Sequence, residues 1–248
     1  MKNVFIDFEA SQYTQEIISI GAVMDTGEEF YSLIKINHDI GFFVSNLTNI
    51  KKENLENAPK ADKVFNYFYD WLVLNNKDSD RIQFICYGNS DLTFANNTLK
   101  TIKNSFFAQS ALSLIINNIV DYAEYIKAYF GLSKHVSLIK VAQYYSNEQL
   151  TQDHNALNDA KLLKFVYENI QKGEKLVENP FREYAQKIEV YENENLIETF
   201  YGMAEAIKWL KTVIQMPKGA QRKRIENKIV SASQQQKSYC GYNWILYE

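Results

Sequence analysis

The 248-residue sequence is 46% hydrophobic and 14% aromatic, with three prolines and nine glycines. That composition excludes a disordered or low-complexity chain and fits one large domain plus a small one. A net charge of −3 excludes a globally basic polyanion binder, yet residues 185–248 carry 9 basic and 7 acidic side chains against 18 and 23 in residues 1–184.

The chain opens on Met1-Lys2-Asn3-Val4-Phe5-Ile6-Asp7, an apolar run interrupted by acid too soon for a signal peptide or a membrane span, so a cytoplasmic protein is expected. A strand is predicted over Asn3–Glu9. Two β-branched runs follow, Ile17–Met24 and Phe30–Ile36, parted by the turn signature Asp25-Thr26-Gly27, and together they make a three-stranded meander. Over Ala61–Leu74 the periodicity becomes helical, with Val64, Phe65, Phe68, Trp71 and Leu72 forming a face that packs on the sheet. Aromatics at helical spacing, Tyr67 and Tyr69 included, read as packing in preference to base stacking.

Arg81–Tyr87 reads as a strand, Leu92–Ile102 as a helix, and Ile119–Phe130 as a strand running into a helix. Ser137–Tyr145 and Asn155–Ile170 are amphipathic helices, the second capped by Asn155. The pattern is α/β, with strands first and helices flanking later. A boundary falls near Gly173–Phe181, giving a first domain over residues 1–176 and a small α+β domain over 185–248. The latter reads as a hairpin (Lys187–Tyr191 and Leu196–Phe200 around Asn193-Glu194-Asn195), helices at Met203–Val213 and Ala220–Ala232, and a closing strand Tyr242–Tyr247. Cys86 and Cys240 show no metal or redox spacing and read as buried, reduced thiols.

The chemistry-bearing residues begin with Asp7 and Glu9. Two residues apart on a strand, they point the same way about 7 Å apart where the strand leaves the sheet, an arrangement that repels itself unless a hard divalent cation lies between. A solvated strand end is the plain reading of the pair alone. Asp91 follows a predicted strand through Gly88-Asn89-Ser90 and opens a helix; it is either a cap or a third carboxylate at the ends of neighbouring strands. Five helical residues turn through about 500°, so His154 and Asp159 share no helix face, and His154 belongs to the preceding loop. By itself that pair reads as surface detail. His38 and His135 read as ordinary loop residues.

In order, Phe5-Ile6-Asp7-Phe8-Glu9-Ala10-Ser11 with Glu16–Val23, then Gly88-Asn89-Ser90-Asp91, then His154-Asn155-Ala156-Leu157-Asn158-Asp159-Ala160 resemble the three motifs of the DnaQ-like 3′–5′ exonucleases. Leu47–Ile50 with Ala58-Pro59 resembles the family's connecting segment and Ser137–Ala142 the helix preceding the third motif, so the likeness spans about residues 3–170. A histidine before the last aspartate resembles the DEDDh subclass. Two positions depart from the pattern, Ser90 for an apolar residue and Ala10 for a β-branched one; both leave the ligands intact and bear on substrate preference.

The resemblance implies a ribonuclease H-like fold, a mixed sheet flanked by helices, and a metal-dependent 3′–5′ exonuclease. Asp7, Glu9, Asp91 and Asp159 would hold two Mg²⁺ or Mn²⁺ ions, His154 would act as general base, and Ala10 and Ser11 would contact the substrate. Nucleic acid is the implied partner, through the 3′ end and preferably single-stranded, with a polymerase or other protein as a further partner. A non-catalytic nucleic-acid-binding or polymerase-associated module on the same fold stays open. In the tail, Lys218, Arg222, Lys223, Arg224 and Lys228 lie within eleven residues, and Tyr201–Leu210 with Tyr239–Trp244 resembles the small helix-turn-helix modules of homing endonucleases. That likeness implies a grip on the phosphate backbone.

Overall fold

The computed structural model describes residues 1–76, 81–146, 149–173, 180–181, 184–214 and 221–247. They form two compact units, Met1–Ala123 with Ser137–Lys175, and Glu124–Val136 with Leu176–Glu248.

The first unit is built on a five-stranded sheet in the order β3-β2-β1-β4-β5. Strand β1 (Lys2–Ala10) is central. It pairs antiparallel with β2 (Ile17–Met24), which pairs antiparallel with β3 (Glu29–Leu33); on its other side β1 runs parallel to β4 (Ile82–Cys86), and β4 parallel to β5 (Ile119–Asp121). The predicted meander and mixed sheet are present. Strand β3 ends before Ile34, where Lys35 leaves the ladder and its N–H bonds the Pro59 carbonyl at 2.9 Å.

Alternation along β1 divides its side chains between two layers. Val4, Ile6 and Phe8 enter a core with Phe65, Phe68 and Leu72 of α3 (Ala61–Asn75) and Ala108, Leu112 and Ile115 of α5 (Phe106–Asn118). Phe5, Asp7 and Glu9 take the opposite face, where Phe5 meets Tyr167 of α8 (Ala156–Gln171) edge to face at 5.1 Å. One strand thus anchors the core with one set of residues and presents carboxylates with the other. Strand β2 is buried along its whole length, and α8 packs across both strands. Helices α1 (Phe42–Thr48), α2 (Lys52–Glu56), α4 (Ser90–Thr101) and α7 (Leu138–Tyr145) complete the unit; α1, α2 and α5 have no counterpart among the predicted elements.

The second unit includes α6 (Tyr122–Phe130) from Glu124 onward, and a bridge links Leu132 to Ala185. Its antiparallel sheet runs β7-β6-β9-β8, with β6 Lys187–Glu192, β7 Asn195–Tyr201, β8 Ser238–Tyr239 and β9 Tyr242–Leu246. The β6–β7 turn is the pair Asn193-Glu194, both at positive φ, as the twist of a tight hairpin requires. Helices α9 (Met203–Val213) and α10 (Arg222–Gln234) bury Ile207, Leu210, Ile225 and Ile229 against Ile188, Val190 and Trp244 of the sheet. Most of the boundary segment 173–181, together with Ala220, lies outside the described residues. Both cysteines are free, Cys86 buried and Cys240 half-buried. Among the described residues no helix is long and apolar enough to cross a membrane.

Candidate active site

Asp7 and Glu9 are half-buried on the α8 side of β1, near its C-terminal end. Asp91, 5% exposed, enters from the first turn of α4, whose N-cap is Asn89. Its Oδ1 accepts the Phe8 N–H at 3.0 Å, so the carboxylate is locked onto β1 between the two strand acids. Asp159, 4% exposed, descends from the first turn of α8, and its Oδ2 accepts the Gln152 side-chain amide at 2.9 Å. Ligand atoms of Glu9, His154 and Asp159 lie within 4.8 Å of one another.

His154 sits just before the helix, at φ 50. A non-glycine residue in the left-handed region costs about 1–3 kcal/mol and persists only where its surroundings fix it. Here they do. Asp153 accepts from the Asn155 N–H (3.2 Å) and from the Asn158 side chain (2.8 Å), while Asn155 caps α8 by accepting from Leu157 and Asn158 N–H.

A second contact sets the height of α8. Gly21 pairs with Asp7 across the β1–β2 ladder, and a Cβ built on it would lie 2.1 Å from the Ala156 carbonyl carbon. The first turn of the helix rests directly on the strand, an approach only glycine allows.

The electrostatics are those of crowded like charges. Burial, then the charges of Asp91, Glu9 and Asp159, holds the Asp7 carboxyl well above the usual carboxylate range. Burial, followed by Asp159 and Asp91, raises Glu9 to about 8. Burial raises Asp91 to about 7 against the opposing Phe8 hydrogen bond. Asp159 is also raised by burial, with Gln152 and His154 opposing. Oxygen-only, like-charged and partly desolvated, this donor set fits hard divalent cations.

The sign of the pH dependence follows. Carboxyls whose folded pKa is raised bind protons more tightly in the native state than in the unfolded chain, so their contribution is present below about pH 4 and is lost as pH rises through about 8. In chelator, the melting temperature is expected to fall by about 5 °C or more between pH 5 and pH 8, since 1 kcal/mol moves it roughly 2–4 °C at this size. Millimolar Mn²⁺ should reverse the loss at pH 8. Melting curves at both pH values, with and without the ion, check this; a metal-free protein no less stable at pH 8 would contradict the clustered charges.

Two supporting residues escaped the sequence reading. Asp121, at the end of β5, accepts with Oδ1 from both Gly88 N–H and Ala123 N–H at 2.8 Å, pinning the β4–α4 turn that delivers Asp91. Gln152 steadies Asp159 as described. Ala10 and Ser11, expected against substrate, are buried, and the Ser11 hydroxyl is 2.7 Å from Thr14 Oγ1 and 3.2 Å from His38 Nε2. His38, read as an ordinary loop residue, therefore joins Thr14 in bracing the loop after β1. His135 bonds Glu124 at the surface. Of the tail cations, Lys223, Arg224 and Lys228 share one concavity of the second unit and Arg222 lines another, while Lys218 lies outside the described residues.

A family model described as an exonuclease, of the RNase T type, matches residues 4–167. Curated protein sequences give no match. Among solved structures, the chain is similar to the nuclease domain of 3′hExo, a DEDDh family member bound to rAMP (20% identity, TM-score 0.54, 69% of this chain and 92% of that one). It is also similar to a 3′-exonuclease that recognises the histone mRNA stem-loop 3′ end (18%, 0.55, 69% and 82%). A third similar structure is cell-death related nuclease 4 (17%, 0.54), of which the chain spans 64% while 69% of this chain is covered. At these identities the structures speak for the fold, and the family match speaks for the lineage: the chain belongs to the DnaQ-like exonuclease family and has its ribonuclease H-like fold.

Proposed function

We propose that the protein is a 3′–5′ exonuclease that hydrolyses the terminal phosphodiester of a nucleic-acid strand. The observation that carries this reading is the convergence of Asp7, Glu9, Asp91 and Asp159, with His154, on one end of β1, where the acids repel one another and a cation would relieve them. The four carboxylates would hold two Mg²⁺ or Mn²⁺ ions. Bound there, the ions would lower the pKa of the attacking water and offset charge on the phosphoryl group and the departing 3′ oxygen.

The chain's own residues do the rest. An imidazole nitrogen of His154 takes the proton of the attacking water, a task suited to a group that ordinarily titrates near neutrality. The water oxygen bonds to phosphorus, the bond from phosphorus to the 3′ oxygen of the preceding nucleotide breaks, and a nucleoside 5′-monophosphate leaves. Phe42 (81% exposed) and Phe43 (64%) begin α1, and the Phe43 N–H is bonded to Gln12, three residues past Glu9. Their faces offer stacking to unpaired bases, which favours a single strand.

The test is a time course on 5′-labelled single-stranded DNA, single-stranded RNA and duplex, with Mn²⁺ or Mg²⁺ against EDTA. The expected result is a metal-dependent ladder shortening from the 3′ end, fastest on single strands. Intact substrate under every metal condition would sink the reading and favour a binding module on the same fold.

A further inference from the structure

We propose that the second unit carries a separate nucleic-acid site, a basic groove between α10 and β8 that grips the sugar–phosphate backbone without needing a strand end. The inference rests on nucleic acid being the substrate.

The groove, about 670 Å³, is lined by Lys223, Arg224, Lys228 and Lys237, with Asn227 and Tyr239 among the remaining lining residues; none of the lining residues is acidic. Helix α10 sorts its side chains by face. Ile225, Ile229 and Ala232 are buried in the core of the unit. Glu226, the helix's one acid, lines a different concavity with Arg222, Glu124 and Glu205. That second hollow sets its three carboxylates against Arg222 and Lys127, whereas the first has four cations and no carboxylate in its lining.

Lys223, Arg224, Lys228 and Lys237 are exposed, and among the described residues no carboxylate forms an ion pair with any of them. Lys228 instead places its ammonium 5.6 Å from the centre of the Tyr239 ring, which positions the charge without neutralising it. Cations without a carboxylate partner among the described residues, Lys237 donating to the Gln235 side chain at 3.1 Å, and interspersed with amide and hydroxyl donors, match a backbone of regularly spaced phosphates and sugars. A membrane surface would call for large exposed apolar side chains beside the cations, and the groove's lining offers Ala232 and Tyr239 alone.

The test uses the full chain bearing Asp7→Asn, so that nothing is degraded, and fluorescein-labelled DNA without ends: a closed single-stranded circle and a closed duplex dumbbell. Fluorescence anisotropy is followed from 50 to 300 mM salt. Expected is binding to at least one closed probe, weakened about tenfold or more by Lys223→Gln/Arg224→Gln/Lys228→Gln. Losing three phosphate contacts should also reduce the slope of log K against log salt by about 2 on the single-stranded circle and about 3 on the duplex. Melting curves confirm folding, and the double variant Lys223→Gln/Lys228→Gln repeats the measurement with a smaller perturbation. Failure of both closed probes to bind, or equal binding by variant and parent, overturns the proposal. So does a variant that loses only its binding to phosphatidylserine vesicles. The two readings fail separately: a wild-type protein that shortens linear strands but ignores closed ones retains its nuclease and loses the groove.

Discussion

Asp7→Asn is expected to cut nuclease turnover about a thousandfold or more, equivalent to roughly 4 kcal/mol of lost transition-state stabilisation, while leaving the fold intact. Asparagine keeps the shape of the side chain on β1 and removes one of the four converging charges, so the site loses an anionic donor at the point where Asp91, Glu9 and Asp159 all bear on it. The same change should stabilise the metal-free protein at pH 8 and flatten its dependence on pH, because a source of repulsion is gone. Two readouts therefore move in opposite directions, turnover down and metal-free melting temperature up. A merely misfolded variant would lower both, and a variant retaining activity within tenfold of the parent would remove Asp7 from the site.

Gly21→Ala should damage stability and chemistry together. The added methyl group would stand 2.1 Å from the carbonyl carbon of Ala156, 2.2 Å from the Leu157 nitrogen and 2.3 Å from the Ala156 oxygen, all backbone atoms that cannot rotate aside. Either β2 or the first turn of α8 must move. Overpacking a well-filled interior costs about 1–3 kcal/mol, and a clash with backbone belongs at the upper end. Lifting the helix also carries Asp159 and His154 away from β1, and a displacement near 1 Å can cost about a hundredfold in rate. Thermal melting and the nuclease time course measure the two effects. A variant with parental stability and rate would show that the helix does not rest on this strand.

Within the first unit β2 was the most legible strand, because its apolar, β-branched run is uninterrupted. All eight residues of β2 are buried, and the predicted span matches the observed one. Helix α5 was hidden by its neighbours. Its buried set, Ala108, Ala111, Leu112 and Ile115, has helical spacing, yet Phe106 and Phe107 lie exposed and Leu114 and Ile116 are also apolar, which blurs the stripe. Helix α1 begins at Gly41 with no side-chain cap and presents Phe42 and Phe43 to solvent, against every start signal. Of the site, the spacing of the acids could be read from the chain, and so could the position of His154 before a capped helix. The clamp from Asp121 to Gly88 could not, because it joins residues 33 apart whose only bond is tertiary. For Gly21 a signal was present, a glycine inside a β-branched run, which marks a close backbone approach.

Because Gly21 and Asp7 receive α8 from above, the centre is completed by the last element of its unit to leave the ribosome. While β1 to β4 are being made, the strip of sheet around Gly21 has no cover, and the acids of β1 wait without Asp159 and His154. A chain released early carries an open sheet and no assembled centre. Long sequence separation between contacting parts slows folding, so docking of this late helix lengthens the interval between synthesis and competence. That order of assembly leaves the carboxylates of β1 without their helix-borne partners until α8 emerges, while β6 to β9 of the second unit are still to be made.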